Sequence, residues 1–204
     1  MDKILTVTLN PAVDKTYTTQ SLKAGHVNRM RTALNIAGGK GVNVTKILRQ
    51  YGCEVAATGF LGGYTGHFIE EELLRRGAGG HFVHVTGETR CNMNILADDG
   101  YVTEILEPGP QVSEREKALF LKQYELLLAE CRLAVISGSV AGGIEDDIYE
   151  RLVVTAQDKK VPVYLDSSGE SMRKGLLAKP CFIKPNWKEL EYLVGHKIAD
   201  REEI

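Results

Sequence analysis

Long apolar runs are missing. No segment approaches the ~20 consecutive apolar residues that a helix needs to span a bilayer. The opening Met1-Asp2-Lys3 runs straight into a strand-like stretch without the pattern of a secretory leader. The expectation is a cytoplasmic protein with no membrane partner. Cysteine is scarce too. Cys53, Cys91, Cys131 and Cys181 are the four in 204 residues. They form neither a Cys-x-x-Cys pair nor a compact framework, which argues against a disulfide-stapled fold and leaves reduced thiols. Excess charge is also lacking. With 25 Lys and Arg against 27 Asp and Glu, the net charge of −2 supplies no electrostatic case for nucleic acid or an anionic surface.

Several chemical signatures are absent as well. The Walker phosphate loop, G-x-x-x-x-G-K-[ST], does not occur. The dinucleotide fingerprint G-x-G-x-x-G breaks at Val44, which argues against a Rossmann dehydrogenase. The nucleophile elbow G-x-S-x-G breaks at Ala141. His81 and His84 lie three apart on an expected strand and so point to opposite faces. His26, His67 and His196 are isolated, so neither a zinc site nor a catalytic triad is suggested.

What is present is an ordinary globular composition, 43% hydrophobic and 25% charged, with strand and helix patterns in alternation. Ile4–Leu9 reads as a buried strand stopped by Asn10-Pro11. Val44, Ile47, Leu48 and Tyr51 form one face of a helix, with Gly52 as its stop. Strand, helix, strand follow over 55–60, 67–76 and 82–85. Arg90–Leu96 and Tyr101–Leu106 flank Asp99-Gly100, a hairpin signal. Ser113 with Glu116 is a capping box that opens a helix to about residue 131. Further strands are expected at 133–137, 161–165 and 181–184, and helices at 145–158, 170–177 and 187–194. Such alternation predicts an α/β fold with a mainly parallel sheet between helices. The polar β segments at 13–31 and 89–106 do not suit that sheet and are expected to form a smaller β lobe. The core is then 1–12, 32–88 and 107–204. Asp200 with Glu203 opens another helix cap just before Ile204, from which we expect a truncated chain, because a lone turn does not hold as a helix.

Ligands of such sheets bind beyond the carboxyl ends of the strands. Asp14, Gly38–Gly41, Ser137–Ser139, Asp166 and Lys184–Asn186 all follow expected strands. Gly38-Gly39-Lys40-Gly41-Val42-Asn43 combines close backbone approach, a helix N-terminus and a lysine, a set suited to a phosphate. Its plain structural reading is a strand-to-helix turn. Asp14 suits sugar hydroxyls or a simple turn. Arg90, and likewise Asn28 with Arg29, suit a phosphate or solvent. Ser137-Gly138-Ser139 offers hydroxyls and amides in a tight turn. Asn186 and Glu189 read as a capping box, and also as groups near a metal–phosphate, with Glu189 acting on magnesium through water.

Taken in order, Thr8–Asp14, Gly38–Asn43, Gly59-Phe60-Leu61-Gly62-Gly63, Gly87–Arg90, Ser137–Ser139 and Lys184-Pro185-Asn186-x-x-Glu189 resemble the PfkB carbohydrate kinases, in the branch of 1-phosphofructokinase and tagatose-6-phosphate kinase. The likeness spans essentially the whole chain. It implies a ribokinase-like fold whose small β-sheet is a lid, often pairing lids in a homodimer. It implies ATP and Mg2+ as cofactors and a sugar phosphate as substrate. By resemblance Asp14 binds sugar hydroxyls, and Gly38, Gly39 and Asn43 line the sugar site. Lys40 and Arg90 meet the substrate's phosphate with Asn28 or Arg29 nearby, and Ser139 lies close to the sugar. Lys184, Asn186 and Glu189 serve ATP and magnesium. The family's Gly-Ala-Gly-Asp-like signature, which carries the catalytic base, has no counterpart here, so the chain alone is expected to be inactive. His26 and Ala141-Gly142-Gly143 also depart from the usual pattern. The expected reaction is phosphorylation of fructose 1-phosphate to fructose 1,6-bisphosphate. The rivals are tagatose-6-phosphate kinase and a non-catalytic sugar-phosphate-binding protein.

Overall fold

Strand β1 (Lys3–Thr8) owes its place to composition, since Ile4, Leu5 and Val7 are all buried. The computed structural model describes residues 3–199, so Asp200 and Glu203 lie outside the described residues. β1 sits inside a six-stranded sheet with β4 (Val55–Leu61), β5 (Gly79–His84), β8 (Cys131–Ser137), β9 (Val163–Asp166) and β10 (Phe182–Ile183), in the order β10-β9-β8-β1-β4-β5. Every pairing in it is parallel. Parallel sheets need both faces covered, and they are here. On one face α3 (Glu114–Leu128), α4 (Ile148–Asp158) and α5 (Gly169–Gly175) enclose Phe60, Phe120, Tyr124, Ile136 and Leu152. On the other, α1 (Lys40–Gln50) and α2 (Gly63–Arg75) enclose Val42, Ala57, Leu61, Ile69 and Leu73. No helix among the described residues is long and apolar enough to cross a membrane.

The second sheet has the order β3-β2-β6-β7, built from β2 (Ala12–Thr19), β3 (Thr32–Gly38), β6 (Arg90–Ala97) and β7 (Val102–Leu106). Two corrections to the sequence reading arise here. Residues 32–38, expected in the core, pair antiparallel with β2. Leu34 and Ile36 of this strand lie exposed on an open sheet. The segment 13–31, expected to be β throughout, is strand only as far as Thr19 and then a loop up to β3. The Asp99-Gly100 hairpin is present, with only Gly100 (φ 87°) in the left-handed region. Ala97 exchanges hydrogen bonds across the turn with Tyr101 and Gly100 at 3.0 Å. A single glycine at the end of the turn is therefore enough to match the strand twist.

Both expected capping boxes are formed. At α3 the Ser113 hydroxyl accepts from the Glu116 amide at 3.3 Å, and Glu116 accepts from the Ser113 amide at 2.7 Å. At α6 (Trp187–Val194) Asn186 and Glu189 make the same exchange at 2.9 and 2.8 Å. The helix α2 begins at Gly63, earlier than the expected His67. There Gly63 takes φ 65°, and its missing side chain leaves room for the Glu88 carboxylate, which accepts from the Thr65 amide.

Candidate active site beyond the carboxyl ends of the parallel strands

The end of β1 and the start of α1 meet through glycine. A Cβ on Gly41 would sit 2.2 Å from the Thr8 hydroxyl and 2.7 Å from the Val7 carbonyl, so only glycine lets the helix N-terminus seat against the strand ends. Gly39 caps the helix at φ 96°. A Cβ on Gly38 would lie 2.0 Å from an Asp14 carboxylate oxygen. The glycine turn therefore lies directly against that carboxylate. Asp14 is fixed from the other side by Asn92, whose amide nitrogen donates to it at 3.0 Å.

Arg90 opens β6 and is partly buried. Its Nε and Nη2 donate to the Asn10 carbonyl at 3.3 and 3.1 Å, and its Nη1 to the Glu107 carbonyl at 3.2 Å. Nη2 also reaches the Ser139 hydroxyl at 3.5 Å. Burial pushes the Arg90 guanidinium below its ordinary value, and the carboxylates of Asp14 and Glu107 oppose that. The same Asp14 charge acts on Lys46, whose ammonium is lowered first by burial and then by Arg76. Lys46 shares an open groove with Asn43, Ile47, Gln50 and Arg76. Asp14 is thus an electrostatic neighbour of both cations, and Asn43 belongs to the same surface.

A second constellation lies alongside. Lys40 Nζ is 3.2 Å from Asp166 and 3.5 Å from Glu189, and Lys184 Nζ is 3.8 Å from Asp166. The other Asp166 oxygen accepts from Ser137 at 3.2 Å. Glu189 forms the expected capping box with one oxygen, and its other oxygen faces Lys40. Beside Asp166 and Lys184 is a largely apolar cavity of about 130 Å³ lined by Val44, Val135, Tyr164 and Phe182.

Three of the residues expected near the substrate's phosphate have protein partners or solvent about them here. Lys40 was expected at the sugar's phosphate with Arg90, and its ammonium here pairs with the two carboxylates of the second constellation. Asn28 spends its amide on its own loop, accepting from the Lys23 amide and donating to the Lys23 and His26 carbonyls at 2.8 to 3.0 Å. Arg29 follows it, exposed, in the loop between β2 and β3. The sequence reading also passed over Asn10, Asn92 and Lys46. Two faint signals pointed to them. Asn92 follows Arg90 by two residues on a strand, and Lys46 follows Asn43 by three on a helix, so each shares a face with a residue already singled out. Asn10 and Asn92 share one more property. Their amide oxygens are buried without a hydrogen-bond donor, together with one carboxylate oxygen of Asp147.

The model of the pfkB family carbohydrate kinases matches residues 6–204. The chain belongs to the pfkB family of carbohydrate kinases. A possible 1-phosphofructokinase from Thermotoga maritima superposes on it with a TM-score of 0.89 at 30% identity, over 98% of this chain and 66% of that one. The tetrameric inhibited form of phosphofructokinase-2 from Escherichia coli gives 0.89 at 26%, over 100% and 67%. That enzyme in complex with fructose-6-phosphate gives the same values. This pfkB-family chain therefore has the ribokinase-like fold, and it spans about two thirds of the length of these solved structures. Carbohydrate kinases of the family use ATP.

Proposed function

We propose that this chain is the acceptor-binding part of an ATP-dependent kinase acting on a ketohexose phosphate, with fructose 1-phosphate as acceptor and O6 as the site of transfer. The observation that carries this reading is the junction of Asp14, Asn92, Arg90 and Ser139 around the Gly38–Gly41 turn. A carboxylate suits sugar hydroxyls, and a part-buried guanidinium suits a phosphate already on the sugar. Asn43 and the glycine amides complete the wall. Phosphoryl transfer is largely positioning plus charge stabilisation, and these groups supply the positioning of the acceptor.

Lys184, Asn186 and Glu189 are assigned to the nucleotide side. The donor set fits magnesium, because Asp166 and Glu189 offer carboxylate oxygens and that ion keeps several waters while binding few protein groups. When bound, magnesium supplies charge neutralisation on the phosphates. Glu189 would hold it through water, with Lys40 near the same phosphates. We assign the general base to polypeptide outside these 204 residues, since the Gly-Ala-Gly-Asp-like signature has no counterpart in them. The chain alone then binds acceptor without turning it over. We also propose that the second sheet acts as the lid, with 13–31 and 89–106 at its centre and β3 added, and that lids pair in a homodimer. Leu34, Ile36, Leu96, Val102 and Leu106 are exposed on the face that carries Asp14.

Calorimetric titration of the chain with fructose 1-phosphate, tagatose 6-phosphate and fructose tests the reading. Tighter binding of the phosphorylated sugars is expected, and Arg90→Ala should weaken it by about 1.5–3 kcal/mol. Equal affinity for fructose and its phosphate, or an Arg90→Ala variant that binds as tightly as wild type, sinks it. Preference for tagatose 6-phosphate moves the acceptor to the rival.

A further inference from the structure

We infer that Asn10 is a positioning residue that aims the Arg90 guanidinium and holds it in register with Ser139. The inference deepens the sugar-phosphate reading and rests on it for the identity of the ligand. Asn10 is only 4% exposed, in the turn that follows β1. Its carbonyl receives two N–H groups of Arg90, at 3.3 and 3.1 Å. Two bonds from one guanidinium to one oxygen fix the plane of the cation as well as its position, which a single bond does not. The side chain of Asn10 faces two other segments. Its amide nitrogen donates to the Pro108 carbonyl at 3.0 Å and the Val140 carbonyl at 3.1 Å, and lies 3.5 Å from the Ser139 hydroxyl.

One residue therefore ties together the first residue of β6, the loop that carries Ser139, and the strap by which the chain returns from β7 to the core. The strap is drawn in closely. Gly109 has φ 93°, and a Cβ there would stand 2.3 Å from the Asn10 amide oxygen. That oxygen is buried with no donor. A buried acceptor left unpaired is destabilising by itself, so the arrangement persists through the bonds made by the rest of the residue. It follows that Asn10 acts on the ligand through Arg90 and Ser139.

Asn10→Asp tests this with almost no change of shape. It removes both amide N–H groups and sets a carboxylate against two carbonyls. Gly109→Ala is the second variant, displacing the same side chain from the strap without altering a polar group. Titration with fructose 1-phosphate should show affinity reduced on the order of ten- to a hundredfold in both, the scale of one weakened charge-assisted hydrogen bond. Affinity for unphosphorylated fructose should move less than about twofold. A purely architectural role predicts equal losses for both sugars. The Arg90 Nε–H resonance in a ¹⁵N correlation spectrum, read without ligand, should shift in each variant. Retained affinity within twofold, or an unmoved resonance in a folded variant, overturns the inference. If the wild-type chain binds no sugar phosphate, the functional reading fails, and the resonance alone then decides for or against Asn10. If Asn10→Asp does not fold, the comparison is made on Gly109→Ala.

Discussion

Strands β4 and β7 make an instructive pair. All seven residues of β4 are buried, whereas β7 has four exposed residues and one of intermediate burial. β4 is sandwiched between two helical layers and β7 lies at the edge of an open four-stranded sheet. One sheet is held by packing; the other is held by its ladders and by a few tethers at its root, among them Arg90, Glu107 and Asn10. The candidate sugar-site residues fall on the seam between them.

The largest test of this contrast is in the core. Phe120 is fully buried, its ring 4.9 Å from that of Phe60 and 6.1 Å from that of Tyr124. Phe120→Ala should lower global stability by about 3–5 kcal/mol, measured by denaturant unfolding. A loss below about 1 kcal/mol would mean that the layer is looser than described. Next comes the seam. Gly38→Ala drives a methyl into the Asp14 carboxylate. Acceptor binding should fall on the order of ten- to a hundredfold, the scale of losing one charged hydrogen-bond partner, and normal binding would separate Asp14 from the site.

A smaller effect is expected at the α3 cap. Ser113→Ala should cost about 1 kcal/mol. Hydrogen bonds from the Ser113 side chain, then from its amide, hold the Glu116 carboxyl below its ordinary range. A lowered acid favours folding when ionised. This stabilisation is therefore complete above the unfolded carboxylate range and is lost as pH falls through the lower folded value. Glu116→Gln should flatten the acid limb of a stability–pH curve, and an unchanged limb contradicts this assignment. Last, Leu34→Thr and Leu106→Thr on the open sheet should change unfolding free energy by less than about 0.5 kcal/mol while weakening self-association in sedimentation velocity. Self-association at wild-type strength in both variants counts against pairing through that face.

Much of the fold was legible because its signals are local. The capping boxes at Ser113 and Asn186 follow from two residues three apart, and the Asp99-Gly100 hairpin from the one glycine that its turn requires. Buried strands such as β8 and β9 announced themselves as short apolar runs between turns. Residues 32–38 were assigned to the core, and the strand they form joins the second sheet instead, a choice of partner that no local pattern carries. For the candidate site, Asp14, Arg90 and Ser139 were singled out by order and motif. The carboxylates that face Lys40 were not foreseen, because a lysine in a glycine turn reaches in any direction until neighbouring carboxylates draw it.

The amino-acid sequence by itself determined most of the strands and helices of the large sheet and where two helices begin. Those properties depend on contacts within a few residues. Tertiary structure alone decided that Lys40 faces Asp166 and Glu189, that Asn28 staples its own loop, and that Asn10 joins segments 80 and about 130 positions away. Partners so distant in sequence are chosen by how the two sheets pack, and no local pattern encodes that choice.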